Sequence, residues 1–195
     1  MATFPPVELV AAVFTLACVW LTIRQNLWCW PTGLVGAGVY AVVFFQARLL
    51  SDAALQVVFI VLQVYGWHHW LYGGKDGRNT LPVSDIAPKE AALWAAVIAA
   101  GTVLVGRLTT EMGAALPYWD AFTTVVSLVA QYLMARKVVQ SFLLWMTVDV
   151  VAVGIYATKA LYLTAGLYAV FLCLATLGYL NWRRARRLQD RLAVA

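Results

Sequence analysis

The sequence predicts an all-α polytopic membrane protein with seven transmembrane helices, and three observations carry that prediction. First, 63% of the residues are hydrophobic, only 12% are charged, and the mean hydropathy is +0.78, whereas soluble domains are about half apolar and about one-quarter charged. Second, the apolar residues fall in runs of the length that crosses a bilayer, about twenty residues. Third, residues 8–70 align without a gap on residues 120–182, an offset of 112.

Breaks at charges, glycine and proline place the spans near 8–23, 30–46, 50–71, 90–106, 118–135, 140–158 and 161–181. Continuous apolar runs favour helices over barrel strands, which alternate polar and apolar residues. The one long polar connection, "YGGKDGRNTLPVSDIAPKE", follows the third span. The N-terminal "MATFPPVELV" has no basic n-region and is followed by no small-residue cleavage site, so a removable signal peptide is not expected. Orientation follows from lysine and arginine. One side collects Arg24, Lys75, Arg78, Lys89, Arg136, Lys137 and five arginines of "NWRRARRLQDRLAVA", eleven in all, while the other has Arg48, Arg107 and Lys159. The C-terminus and the long loop are therefore expected in the cytoplasm and the N-terminus outside. The net charge of +5 reports topology and contact with anionic membrane lipid rather than nucleic acid.

At the 112-residue offset, 13 of 63 pairs are identical, and others keep their chemistry, such as Glu8 with Asp120, Thr15 with Ser127 and Phe44 with Tyr156. Arg24 falls on Arg136 at the equivalent turn. The organisation read from this is a first triple-helix bundle at 8–71, a linker helix at 90–106, a second bundle at 118–181 and a basic cytoplasmic tail at 182–195. Equivalent helices lie four spans apart and run in the same direction, which makes a 3+1+3 parallel repeat. Repeats of this kind place a solute site at the repeat interface near the bilayer midplane.

Polar residues inside the spans fall in helical stripes, because positions four and seven apart share a face. The fifth span carries Asp120, Thr124, Ser127 and Gln131; the sixth carries Trp145, Asp149 and Tyr156; the third carries Asp52, Gln56 and Gln63. Asp149 sits in "WMTVDVVAVGIY", where a carboxylate at the centre of a bilayer helix costs about 2.5–3.5 kcal/mol. Three stripes point to one shared polar cavity, since lipid-facing polar groups lack partners. Each residue also has a structural reading. Thr124 and Ser127 can bond the backbone, Gln56, Gln63 and Gln131 can bond across helices, and Trp145 and Trp182 can sit in an interfacial belt. Asp52 and Asp120 lie near span ends, where a helix N-terminus accommodates them. Asp149 is harder to assign to structure: its structural outlets are a partner ion pair or protonation by desolvation, and Lys159 is too far along the helix to pair with it easily. A carboxylate, an aromatic face and several amides suit a flat, cationic, hydrogen-bonding solute.

Other motifs carry less. Cys18, Cys29 and Cys173 lie in or beside spans without metal or disulfide spacing and read as buried small apolar residues. The histidines of "GWHHW" at 66–70 point about 100° apart on a helix, which suits interfacial residues better than a metal site. "WCWPTG" at 28–33 reads as a span start with Pro31 in its first turn, and "GLVGAG" at 33–38 as a helix-packing run. No Walker A motif, nucleophile–histidine pair or cofactor fingerprint is present, so no cofactor is expected.

The stretches "CVWLTIRQNLWCWPTGLVGAGVYAVVFFQARLLSDAALQVVFIVLQVYGWHHW" and "PYWDAFTTVVSLVAQYLMARKVVQSFLLWMTVDV" resemble PnuC-type vitamin transporters, and the resemblance runs from Glu8 to Trp182. It implies a SWEET-like fold, a homotrimer in the bacterial inner membrane, and facilitated diffusion of nicotinamide riboside. It also implies trapping of that solute by a cytosolic kinase. Members tied to nicotinamide riboside commonly carry WxxxN, whereas this chain reads Trp145-x-x-x-Asp149, a departure that brings in thiamine, another cation, as the alternative solute. The expected pathway residues are Gln56, Thr124, Ser127, Gln131, Trp145, Asp149 and Tyr156, with the acid balancing solute charge, the indole stacking and the others orienting. An intramembrane enzyme needs a second carboxylate, nucleophile or histidine beside Asp149, which the sequence lacks. A non-transporting assembly or sensor would use the same stripes as interhelical glue.

Overall fold

A computed structural model describes residues 6–46, 48, 50–74, 81–113, 116–158 and 160–194. Lys75, Arg78 and Lys159 of the charge count, Leu49 of the repeat and the side chain of Glu8 lie outside the described residues. Seven helices follow in order: α1 Pro6–Ile23, α2 Cys29–Gln46, α3 Leu50–Tyr72, α4 Pro88–Glu111, α5 Pro117–Ala135, α6 Ser141–Thr158 and α7 Tyr162–Val194. Four of them, α2, α4, α6 and α7, are long and apolar enough to cross a membrane by length and composition. In α3 and α5 the polar stripes lower the hydropathy.

Proline opens α4 and α5 at the first turn, where its missing N–H costs nothing. Helices α1, α2, α5 and α6 end without glycine. Gln25, Arg48, Lys137 and Ala160 instead take φ of 54°, 62°, 53° and 57°. Asn26 N–H bonds the Leu21 carbonyl at 2.9 Å, Val138 N–H bonds Leu133 at 3.0 Å and Leu161 N–H bonds Tyr156 at 2.9 Å, the wrap-around bonds that close a helix on a left-handed residue.

Neighbouring helices form a closed ring in the order α1, α2, α3, α5, α6, α7 and back to α1, while α4 lies outside against α5. Residues 112 apart mark matching helix ends. α1 and α5 end at Ile23 and Ala135, α2 and α6 span Cys29–Gln46 and Ser141–Thr158, and α3 and α7 begin at Leu50 and Tyr162. Side chains repeat too. Trp70 Nε1 donates to the Met134 carbonyl at 3.3 Å, and Trp182 Nε1 donates to the Thr22 carbonyl at 3.1 Å. These bonds join α3 to α5 and α7 to α1. Trp30 lies edge-on to Trp70 with centroids 5.2 Å apart, Phe142 edge-on to Trp182 at 4.9 Å, and the two tryptophans of α3 and α7 meet at 5.8 Å. This buried aromatic quartet crosses the ring at the end that carries the α1–α2 and α5–α6 turns. Gly66 and Gly178 admit it, because a Cβ there would overlap the rings of Trp30 and Phe142.

Two sequence expectations are corrected here. Trp182 is fully buried rather than interfacial, and so is Trp70 of "GWHHW", because each serves the quartet and caps a carbonyl. Trp67 and His68 of the same motif are exposed, and His69 stacks on Tyr65. Cys173 is exposed on α7, whereas Cys29 is buried. The basic stretch from 182 to 194 is helical, since α7 continues to Val194. No glycine or proline follows Gly178 to stop it, and Arg186 pairs with Asp190 one turn on. Likewise α4 runs on to Glu111, past the expected 106.

The connection after α3 is pinned to the α5–α6 turn. Ser84 and Val138 form a parallel bridge, Gln140 Oε1 accepts from Ile86 N–H at 3.0 Å, and Lys137 Nζ donates to the Leu81 carbonyl at 2.9 Å. Arg136 pairs with Glu90 at the start of α4. Lys137 is buried, with its ammonium 4.4 Å from the Trp70 ring centroid, and burial holds its pKa down to about 8 from 10.5.

Two outcomes follow. Gly66→Ala and Gly178→Ala force the quartet apart and destabilise the protein by about 1–3 kcal/mol, read as a lowered thermal midpoint in detergent. Gly154→Ala, where a Cβ meets nothing within 4 Å, leaves it unchanged. Between pH 8 and 10.5 the unfolded chain binds more protons at Lys137 than the folded one, so stability rises with pH across that window. Lys137→Gln, which installs the residue found at the equivalent Gln25, abolishes that rise in thermal scans taken from pH 7.5 upward, a starting value set about half a unit below the shifted pKa.

Candidate functional site

The aromatic quartet gives the ring interior a floor, and α2 and α6 rise from it. Along α6 the inward residues are Phe142, Trp145, Asp149 and Tyr156. Seven residues of helix rise about 10 Å, so Asp149 stands about midway between Phe142 and Tyr156. Asp149 is 4% exposed, among Val148 and Ala152, which are also buried. Among the described residues it has no hydrogen-bond donor and no basic partner. Above it Tyr156 stacks on Tyr168 of α7 with centroids 5.4 Å apart. Tyr168 lies within electrostatic reach of Asp149, Tyr156 and Tyr40, and Tyr40 stacks on Phe44 of α2 at 5.7 Å. Asp149 therefore stands between an indole–phenyl floor and a tyrosine roof.

Backbone bonding sorts the hydroxyls. Thr22, Thr32, Thr109, Thr123, Thr147, Thr158 and Thr176 each donate to a carbonyl three or four residues back, the ordinary way a membrane helix satisfies threonine. Thr124, beside Thr123, has no such bond, nor has Ser127, and Gln56 and Gln131 lack partners among the described residues as well. Ser127 is buried; Gln56, Thr124, Gln131 and Tyr156 are partly buried. Trp145 packs on the edge of the aromatic core. The structure thus brings Asp149 and Tyr156 together through Tyr168, and it leaves the other sequence-derived polar groups unbonded on α3 and α5. Asp52 and Asp120 are exposed in the first turns of α3 and α5.

Four residues were absent from the expected set. Gln63 is 8% exposed with an unpartnered Oε1, and Trp30 has an unpartnered buried Nε1. Tyr40 and Tyr168 build the roof. The 112-residue offset held a signal for three of them: Gln63 falls on Ala175, Tyr40 on Ala152 and Tyr168 on Gln56, whereas Trp30 falls on another aromatic, Phe142. Among the described residues, no cluster of histidine, cysteine and carboxylate could hold a metal ion.

The profile of the nicotinamide mononucleotide transporter family matches residues 5–184. The chain belongs to that family. It is 27% identical to the nicotinamide riboside transporter PnuC of Escherichia coli (strain K12), over 93% of this chain and 86% of that protein. It is 28% identical to the riboflavin/roseoflavin transporter RibM of Streptomyces davaonensis, over 92% and 86%. A crystal structure of the vitamin B3 transporter PnuC superposes with a TM-score of 0.74 at 25% identity, covering 93% of this chain and 82% of that one. Within this family the chain is a multi-pass membrane transporter of a small solute and not an enzyme, and relatives of equal similarity are named for different vitamins.

Proposed function

We propose that this protein is a uniporter for nicotinamide riboside, carried by one observation: a buried carboxylate, Asp149, inside a helical ring with no counter-charge among the described residues. An isolated buried charge is costly unless paired, and a pyridinium-bearing solute supplies the missing positive charge. Trp145 offers a face for that ring, and the unbonded Gln56, Thr124, Ser127 and Gln131 suit a ribose and an amide. The frame proposed is a SWEET-like 3+1+3 parallel repeat, supported by the matched helix bounds and the paired tryptophan bonds. Transport then consists of rocking one triple-helix bundle against the other. The N-terminus faces outward and the C-terminus the cytoplasm of a bacterial inner membrane, in keeping with the basic residues that gather at the quartet end. No ion-coupling site or nucleotide motif is needed when a cytosolic kinase phosphorylates the arriving solute. A homotrimer is the expected assembly.

Thiamine is the second reading, favoured by the aspartate at the position where relatives commonly carry asparagine, because its thiazolium also wants a carboxylate. Riboflavin, the substrate in the name of one relative, is neutral and gains nothing from Asp149.

Titration of the purified protein with nicotinamide riboside, thiamine and riboflavin in parallel decides among them, the expected order being nicotinamide riboside first. Asp149→Asn loses a charged interaction of about 1.5–3 kcal/mol, so affinity for nicotinamide riboside falls about ten- to hundredfold. In liposomes, label reaches the same concentration inside and out and is unaffected by ionophores. Unchanged binding in Asp149→Asn, or accumulation driven by an ion gradient, refutes this reading.

A further inference from the structure

The seam between α2 and α3 holds two buried polar atoms without partners, the acceptor Oε1 of Gln63 and the donor Nε1 of Trp30. Both sit there because the helices interlock in two directions. Gln63 of α3 fills the notch at Gly33 of α2, where any Cβ would overlap its amide, and Trp30 of α2 fills the notch at Gly66 of α3. Trp30 and Gly33 are one turn apart on α2, as Gln63 and Gly66 are on α3. The equivalent seam of α6 and α7 keeps the packing and drops the chemistry: Phe142 replaces Trp30, Ala175 replaces Gln63, and Phe142 still fills the notch at Gly178. Packing therefore requires neither the indole N–H nor the amide. A buried polar group left unpaired costs about 1–3 kcal/mol, and this seam carries two at positions where its twin has the apolar Phe142 and Ala175.

We infer that Gln63 and Trp30 form a carboxamide-reading subsite, in which Oε1 of Gln63 accepts from a substrate amide N–H and Nε1 of Trp30 donates to the substrate carbonyl. The inference rests on the uniporter reading above and deepens it, since it assigns the end of the substrate that lies away from the acid. On the repeat frame, Ala37 is the α2 residue level with Asp149, and Gly33 lies one turn nearer the floor. One turn is the scale of a six-membered ring and its substituent, so a pyridinium can meet Asp149 while its 3-carboxamide meets Gln63. Gly33 is part of the device, because any larger residue there expels Gln63 from its place.

The test compares nicotinamide riboside with 3-acetylpyridine riboside, which keeps the cationic ring, the ribose and the carbonyl and replaces the amide NH2 with a methyl group. Binding to purified wild-type protein is expected to favour the amide by about tenfold or more, because the analogue leaves Oε1 buried and unpaired. Gln63→Leu should bring the two affinities within about twofold of each other by loss on the amide side, since the methyl ketone has no N–H to lose. Trp30→Phe, the residue already present in the other copy, should weaken both ribosides alike, since both carry the carbonyl. Thermal midpoints of the two variants monitor folding, and Trp30→Phe is the safeguard should Gln63→Leu fail to fold. Equal wild-type affinity for the two ribosides, or amide preference that survives Gln63→Leu, overturns the subsite and means that the seam holds buried water. Wild-type protein that binds neither riboside overturns the functional reading and the subsite with it.

Discussion

The indole N–H groups of Trp70 and Trp182 each reach from one set of three helices to the last turn of a helix in the other set. Lipid tails are as apolar as leucine, so burial alone gives helices in a bilayer little reason to associate, and close packing and polar bonds decide the arrangement. The last carbonyls of any helix lack intrahelical partners. Here the carbonyls of Met134 and Thr22, which also accept the backbone N–H of Lys137 and Gln25 in the closing turns, take a second donor from a tryptophan of the opposite set, at 3.3 Å and 3.1 Å. Asn181 adds a third crossing bond to the Ile23 carbonyl at 3.0 Å. A ring of six helices closed by its neighbours needs such fastening at the seams α3–α5 and α7–α1, where no short loop holds the helices together. The aromatic quartet follows from this, because indoles that reach those carbonyls must lie across the ring.

Residues 112 apart share what builds the ring and differ around Asp149 and the α2–α3 seam. Helix bounds, left-handed turn residues, glycine notches and crossing bonds recur at the 112-residue offset. Asp149 answers to Ala37, Trp145 to Gly33, Gln63 to Ala175 and Trp30 to Phe142. Each of these four thus has a small or apolar counterpart. Two carboxylates at one depth would repel, and two indoles would fill the interior, so a lumen for one asymmetric solute demands that the copies diverge there.

The helices and their bounds, the C-terminal ends of α4 and α7 excepted, were legible because hydropathy and charge mark apolar runs strongly, and the 112-residue offset because an ungapped match is visible without coordinates. Asp149 was legible for the same reason: a charge amid apolar residues has few explanations. The continuation of α7 past Trp182 was not, since hydropathy ends where the arginines begin while helical propensity does not. The burial of Trp70 and Trp182 was hidden too, because tryptophan near a span end serves a lipid interface or a core equally well, and only the opposite helix's carbonyl decides. Gln63 stood in a recognised stripe, but its importance comes from Gly33, thirty residues away, and no periodicity links a notch to the knob that fills it. Thr123 and Thr124 differ only in which carbonyl each can reach, which sequence alone leaves undetermined.

A lone buried acid also bears on how the proposed uniporter releases its solute. A passive carrier needs a site attractive enough to be entered and weak enough to be left. Asp149 gives a strong attraction on one side only, and the groups proposed to share the site with it are neutral amides, hydroxyls and an indole, whose hydrogen bonds water can replace as the site opens. Were the acid held by a fixed basic neighbour, the solute would have to displace that partner and would arrive with little net gain. Were a second acid present, a cation would bind too firmly to leave without a coupled proton or ion. One carboxylate without a partner lies between those limits, and it is the arrangement in which consumption of the solute on the cytoplasmic side suffices to drive net uptake.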